Sequence, residues 1–212
     1  MIENIMKRIF GIFSAIVLVF PVSAQDYYTG KSTVTADGIT FVVSNRHYIF
    51  SLDNVDNVQM NQSGGYRYKD GTLVEEEFAD YATAETRPGC VDRALKETFS
   101  EEEYEALRND RNAVVVIGYV ISPEGNTPEV SFVVDYAPCM LAIPPEKFAL
   151  LEKNLKRYVK WDVNLFGRKL QFMHGLSFVN FSKINLDYSV PEPTPPVEGD
   201  PDILVEPPVL WD

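Results

Sequence analysis

Ala113-Val114-Val115-Val116-Ile117-Gly118-Tyr119-Val120-Ile121, then Ser122-Pro123-Glu124-Gly125-Asn126, then Glu129-Val130-Ser131-Phe132-Val133-Val134-Asp135-Tyr136, is the stretch on which the fold turns. The first run is almost continuously apolar and β-branched, the pattern of a central strand. Pro123 to Asn126 is turn text. In the last run Val130, Phe132, Val134 and Tyr136 alternate with Glu129, Ser131, Val133 and Asp135, so this strand has one drier face. The two strands form a hairpin, and its dry face needs a covering layer.

That layer is supplied downstream. Pro144-Pro145 opens a helix, because proline is favoured in a first turn. Phe148, Leu151, Leu155 and Tyr158 recur at helical spacing, and the opposite face carries Glu152, Lys153, Lys156 and Arg157. After Trp161 and a turn at Phe166-Gly167-Arg168, a last strand runs from Lys169 to Ser182, with Gly175 marking a bulge. Upstream, Val91, Ala94, Leu95 and Phe99 fall on one helical face. Ser100-Glu101-Glu102-Glu103 is a capping box opening a second helix through Tyr104 and Leu107. Its three acids complement the helix dipole and are no metal site.

Residues 27–77 are β-like. Ile39 to Val43 and His47 to Leu52 read as a hairpin separated by Ser44-Asn45-Arg46 and preceded by the turn signal Asp37-Gly38. Asp70-Gly71 marks another, between Tyr66 to Tyr68 and Thr72 to Glu75. The Asp/Asn cluster at 53–57 lacks the Gly and Glu of a calcium loop and is turn chemistry. The expected class is α+β: an antiparallel sheet with helices packed on one face, preceded by a β-hairpin-rich N-terminal portion. The corresponding divisions are 1–24, 25–90, 91–186 and 187–212.

From Val91 to Ser182 the order is helix, strand, tight turn, strand, helix, strand. With Val114-x-Val116-x-Gly118-x-Val120-Ile121-Ser122-Pro123-Glu124-Gly125, a helix ending near Lys160-Trp161, and Gly167-Arg168-Lys169 before the last strand, this portion resembles the TonB C-terminal domain and its relatives. The Tyr-Pro that usually precedes the first helix there is replaced by Arg87-Pro88-Gly89-Cys90. The Pro-rich segment follows the domain instead of preceding it. The resemblance implies binding of extended peptide along a sheet edge, and not energy transduction.

The two ends are unlike the middle. Met6-Lys7-Arg8, the apolar Ile9 to Val22 and the small-residue site Val22-Ser23-Ala24 make residues 1–24 a cleavable signal peptide. That places the protein in the periplasm or outside the cell, by Gram-negative type export, with no stable membrane span after cleavage. Residues 187–212 hold seven of the 14 prolines, seven acids and no base. They read as an extended acidic tail, with apolar patches at Ile203-Leu204-Val205 and Val209-Leu210-Trp211. Those patches either dock in extended form on a sheet edge or groove, or are incidental. The chain's net charge of −12 excludes nonspecific nucleic-acid binding, which runs on clustered cations.

Cys90 and Cys139 are the two cysteines. In an exported protein an even pair is most simply a disulfide, here worth about 4 kcal/mol in the chain-entropy model. No Gly-x-Ser-x-Gly, His-Glu-x-x-His or phosphate loop is present. His47 begins a strand, and His174 shares strand parity with Leu170, Phe172, Leu176 and Phe178; neither has a nameable catalytic partner. No catalytic residue, metal ligand or cofactor is therefore expected. Tyr27, Tyr28, Tyr66, Tyr68 and Trp211 are the binding candidates, as aromatics in polar or acidic surroundings. The expected role is a noncatalytic binding or interaction module of the bacterial cell envelope, its partner a protein or peptide. The other class in view is a carbohydrate-binding or carbohydrate-active protein.

Overall fold

The structure is a computed structural model that describes residues 25–62 and 64–189. Residues 1–24, where a signal peptide is expected, Trp211 and nearly all of the acidic tail lie outside the described residues. Strands β1 (Thr33–Ala36), β2 (Ile39–Arg46), β3 (Ile49–Asn54), β5 (Val114–Ile121), β6 (Glu129–Asp135) and β8 (Met173–Asn180) form one six-stranded sheet in the order β1-β2-β3-β6-β5-β8. Every pairing in it is antiparallel. β4 (Ala84–Thr86) and β7 (Trp161–Val163) make a separate two-stranded ribbon. The helices are α1 (Glu76–Ala79), α2 (Cys90–Lys96), α3 (Glu101–Arg108), α4 (Pro138–Leu141) and α5 (Pro145–Tyr158). The chain is thus α+β, and among the described residues no helix is long and apolar enough to cross a membrane.

Inner-face residues Phe41, Phe50, Leu52, Ile117, Tyr119 and Phe132 are fully buried. Phe132 meets Phe148 of α5 edge-on at 5.2 Å, so α5 covers the sheet as its apolar spacing requires. α3 opens on the expected capping box: Glu103 N–H donates to Ser100 Oγ at 3.2 Å and Ser100 N–H to Glu103 Oε2 at 2.8 Å. α2 runs antiparallel to α5. Arg93 stacks over the Tyr158 ring at 4.4 Å near one end, and Asn154 Nδ2 donates to Thr98 Oγ1 at 3.0 Å nearer the other.

Several local expectations change. Ser44-Asn45-Arg46 continues β2 as far as Arg46, and β1, unread in the sequence, pairs with β2 through Asp37-Gly38. Both turn residues have positive φ (51° and 79°), the geometry that matches strand twist in a two-residue hairpin. The Tyr66–Glu75 hairpin is reduced to a bridge between Arg67 and Leu73. The last strand starts at Met173, since Gly167–Lys169 winds into a 3-10 turn. Gly175 is no bulge: it sits in register opposite Tyr119. A Cβ there would lie 2.8 Å from Ile121 Cδ1 and 2.9 Å from Trp161 Cη2, so glycine admits the indole.

Glu152, expected on the solvent side of α5, is buried and accepts from Asn54 Nδ2 at 2.7 Å and Lys156 Nζ at 2.6 Å. The expected disulfide is absent, and Cys90 and Cys139 are both free. Cys90 lies beside the C-terminal end of α5, since Arg87 N–H donates to Lys160 O. Cys139 in α4 precedes the N-terminal end of α5. A helix of 14 residues separates the two places by about 20 Å, against the roughly 7 Å limit between Cα atoms for a bridge.

Both ends of the described chain are pinned around one groove. Tyr28 Oη donates to Ile143 O at 2.7 Å and the ring stacks on Phe50 at 4.7 Å. Tyr188 Oη donates to Phe99 O at 3.0 Å, and Leu186 N–H to Tyr104 Oη at 3.2 Å. Phe99 and Ile143 line an apolar groove of about 300 Å³ that also contains Leu107, Cys139 and Lys147.

Candidate functional site

β8 pairs with β5 on one side, and among the described residues no strand pairs its other side. N–H groups alternate in direction along an antiparallel strand. His174 N–H points away from β5, toward Tyr66 Oη at 3.4 Å, whereas Phe181 N–H donates back to Ala113 O. Leu176 and Phe178 therefore share the outward set with His174, and their backbone groups face solvent along the edge. Their side chains are also outside, 75% and 67% exposed on the sheet face away from the helices.

Strand pairing extends this apolar edge inward. Phe178 stands opposite Val116, which stands opposite Val133, so one row of apolar side chains crosses β8, β5 and β6. Leu176 stands opposite Gly118, where a Cβ would lie 2.6 Å from Ser131 Oγ. Any side chain there would have to displace the Ser131 hydroxyl, so glycine keeps the row beside Leu176 shallow. The far part of this face is covered by the loop after β3. Glu129 holds that loop by accepting N–H bonds from Val58 (3.0 Å), Gln59 (2.9 Å) and Met60 (2.7 Å).

The free edge has defined limits. At its start the Tyr66 ring stacks on His174 at 6.2 Å, and Phe172 meets the imidazole edge-on at 5.3 Å. Burial pushes the His174 pKa down, partly opposed by the charge of Glu129. At its end the Asn180 carbonyl accepts from Lys183 N–H and Ile184 N–H at 2.9 and 3.1 Å. An added extended chain would therefore find open main-chain groups at Leu176 and Phe178, with an apolar side-chain row beside them.

The sequence-predicted residues are dispersed. Tyr28 is core, so its ring cannot stack on a ligand. Tyr27 is half-buried and 6.3 Å from Tyr28. Tyr66 joins the site through His174. Tyr68 packs on Phe166, which contacts Tyr81, which contacts Phe78, forming a partly exposed aromatic run. His47 sits at a positive-φ turn beside exposed Tyr48. Leu176 and Phe178 were not singled out from the sequence, although the parity shared with His174 contains them. Among the described residues no group of three or more His, Cys, Asp or Glu is placed to hold a metal ion. A cavity of about 350 Å³ by Trp161 is lined by Lys69, Arg87, Glu124, Asp162 and Arg168. Its charges are largely paired, Arg87 with Asp162 at 3.0 Å and Lys69 with Glu124 at 3.8 Å.

No family model and no curated protein matches the chain. Among solved structures, a DUF5043 family protein from Bacteroides uniformis is similar, with a TM-score of 0.58 and 17% sequence identity. The match covers 79% of this chain and 94% of that one. At this identity the likeness is one of fold.

Proposed function

We propose that the protein is an exported, noncatalytic binding module of the bacterial cell envelope that takes extended peptide by strand addition to β8. The observation that carries this reading is the stretch of β8 between His174 and Asn180, unpaired on its outer side among the described residues, with Leu176 and Phe178 exposed beside it. A long apolar edge is an aggregation hazard that proteins normally blunt with charge, proline or a bulge, and β8 has none of these between His174 and Asn180. Strand addition uses these features: main-chain bonds give affinity and alternate side chains give selectivity. The TonB-like resemblance read from the sequence of residues 91–182 also favours edge binding of peptide. The export part rests on residues 1–24 as a signal peptide.

The test is selection of random twelve-residue phage-displayed peptides on the full chain carrying Ile203→Asp and Val205→Asp, so that its own apolar tail does not compete. Enriched peptides should alternate apolar residues and bind at least about tenfold more weakly after Phe178→Asp, circular dichroism being unchanged. No enrichment, or enrichment indifferent to both Phe178→Asp and Leu176→Asp, overturns the proposal.

The run Phe78, Tyr81, Phe166 and Tyr68 favours a second reading, since Tyr81 is 61% exposed and such rings stack on sugars. Under that reading Tyr81→Ala, and not Phe178→Asp, would abolish retention on a polysaccharide column.

A further inference from the structure

The geometry points to a resident occupant for the β8 edge: Asp202-Ile203-Leu204-Val205-Glu206 of the same chain, paired antiparallel to β8. This names what regulates the peptide site proposed above, and it rests on that edge being a pairing surface.

Connectivity is the first support. Phe181, just after β8, meets Phe99 edge-on at 5.5 Å, and Tyr188 is held on the carbonyl of the same Phe99. The described chain therefore leaves at the C-terminal end of β8. An extended segment returning from there runs antiparallel along the strand it follows, the commonest relation between consecutive strands. Thirteen residues, 190–202, lie between Ser189 and Ile203. In a Pro-rich extended chain they reach about 40 Å, more than the roughly 27 Å length of an eight-residue strand.

The second support is a match of hydrogen-bonding windows. On β8 the open groups are those of Leu176 and Phe178, bounded by the N–H of His174 bonded to Tyr66 and the carbonyl of Asn180 already accepting. In the tail, Pro201 and Pro207 bracket five residues that have N–H groups. With Ile203 opposite Phe178 and Val205 opposite Leu176, donors fall where acceptors are open. Pro201 and Pro207, which cannot donate, then fall opposite Asn180 and His174, where the open stretch ends.

Side-chain parity gives the third support. In this register Ile203 and Val205 share the outer face with Phe178 and Leu176, and cross-strand apolar pairs of this kind stabilise a ladder.

Amide exchange by NMR on the isotope-labelled full chain tests the occupant. Leu176 and Phe178 N–H groups should exchange at least about tenfold more slowly in the natural chain than after Ile203→Asp plus Val205→Asp. The inward-facing Ser177 and Val179 should not change, which guards against general unfolding. Equal rates for Leu176 and Phe178 in the two proteins overturn the inference. So does protection that grows with protein concentration, because a second copy would then be the occupant. The two readings separate cleanly. Peptide capture by the double variant with no exchange difference leaves the edge site standing and removes the tail from it. An exchange difference without peptide capture keeps the tail on β8 and removes the external peptide.

Discussion

Asn54 at the end of β3 and Glu152 in the middle of α5 meet in the interior, Nδ2 donating to Oε1 at 2.7 Å across 98 residues of chain. The contact fixes the helix on the sheet at a point where the helical pattern placed a surface charge. Lys156, one turn later, supplies the positive partner at 2.6 Å and remains partly exposed. Truncating Glu152 leaves Asn54 Nδ2 buried without its acceptor and removes the ion pair of Lys156, and the loss of a buried partner costs about 1–3 kcal/mol. Glu152→Ala should therefore lower the unfolding free energy by about 2–3 kcal/mol in urea titrations. Glu152→Gln, which keeps an acceptor for Asn54, should cost less. Equal and negligible costs would show that the contact contributes nothing.

Gly125 holds the β5–β6 turn against Trp161. Its φ is 81°, and a Cβ would lie 2.2 Å from the Trp161 carbonyl oxygen, whose own N–H donates to Gly125 O at 2.9 Å. Gly125→Ala combines a left-handed-region penalty of about 1–2 kcal/mol with a backbone clash. It should cost more than 2 kcal/mol by this order-of-magnitude reasoning. Gly71→Ala, at φ 89° with open space around it, should cost only about 1 kcal/mol. Thermal melts of the two variants make the comparison.

Cys139 should be unreactive. Burial, reinforced by the hydrogen bond and charge of Asp110, pushes its pKa up to about 12, so at pH 8 almost none of it is thiolate. Alkylation by iodoacetamide of the folded protein at that pH should be at least about a hundredfold slower at Cys139 than at glutathione. After air exposure and unfolding, mass spectrometry should recover both cysteines as free thiols. A bridged Cys90–Cys139 peptide would contradict the separation of these residues along α5.

His174 and Glu103 are among the groups that make acid pH destabilising. His174 has a folded pKa pushed below 6.5 by burial, with Glu129 opposing. The unfolded chain thus takes up that proton first, and stability present above 6.5 is lost as pH falls through the folded value. For Glu103 partial burial works upward, but Lys147 at 2.6 Å and the Ser100 bonds hold the carboxyl below 4.5. Its contribution is present above 4.5 and disappears at lower pH, and exposure to solvent keeps it small. His174→Gln should flatten the loss of stability between about pH 7 and 5, and Glu103→Gln the loss below about 4.5, each over the titration range of its group. Chemical denaturation at a series of pH values reads both.

The strand-turn-strand of residues 113–136, the covering helix from Pro145 and the capping box at Ser100 were legible because periodicity and capping are local signals. The missed features depend on other segments. The parity of Leu176 and Phe178 was visible, but period two says only that residues share a face, not which face is covered. Gly175 and Ser177 leave the inner side of β8 small because Trp161 and Tyr119 come in from other strands. Glu152 was assigned to solvent by its helical position, and Asn54, 98 residues away, reverses that. Of the candidate site, only Tyr66 and the His174 parity were in view from sequence. Leu176 and Phe178 became candidates once the sheet order left β8 without a second neighbour among the described residues.

Tyr28 and Tyr188 are fastened to carbonyls, of Ile143 and Phe99, that belong to the walls of one groove. The entry and exit of the described chain thus share a pole, while the exposed turn at Gly64-Gly65 belongs to the loop flanking the edge. The domain is consequently suited to circular permutation. A linker from Ser189 to Asp26, with new termini opened at Gly64-Gly65, leaves every strand pairing of the main sheet intact. It also gives a handle for reattaching the acidic segment at a place from which it cannot follow β8.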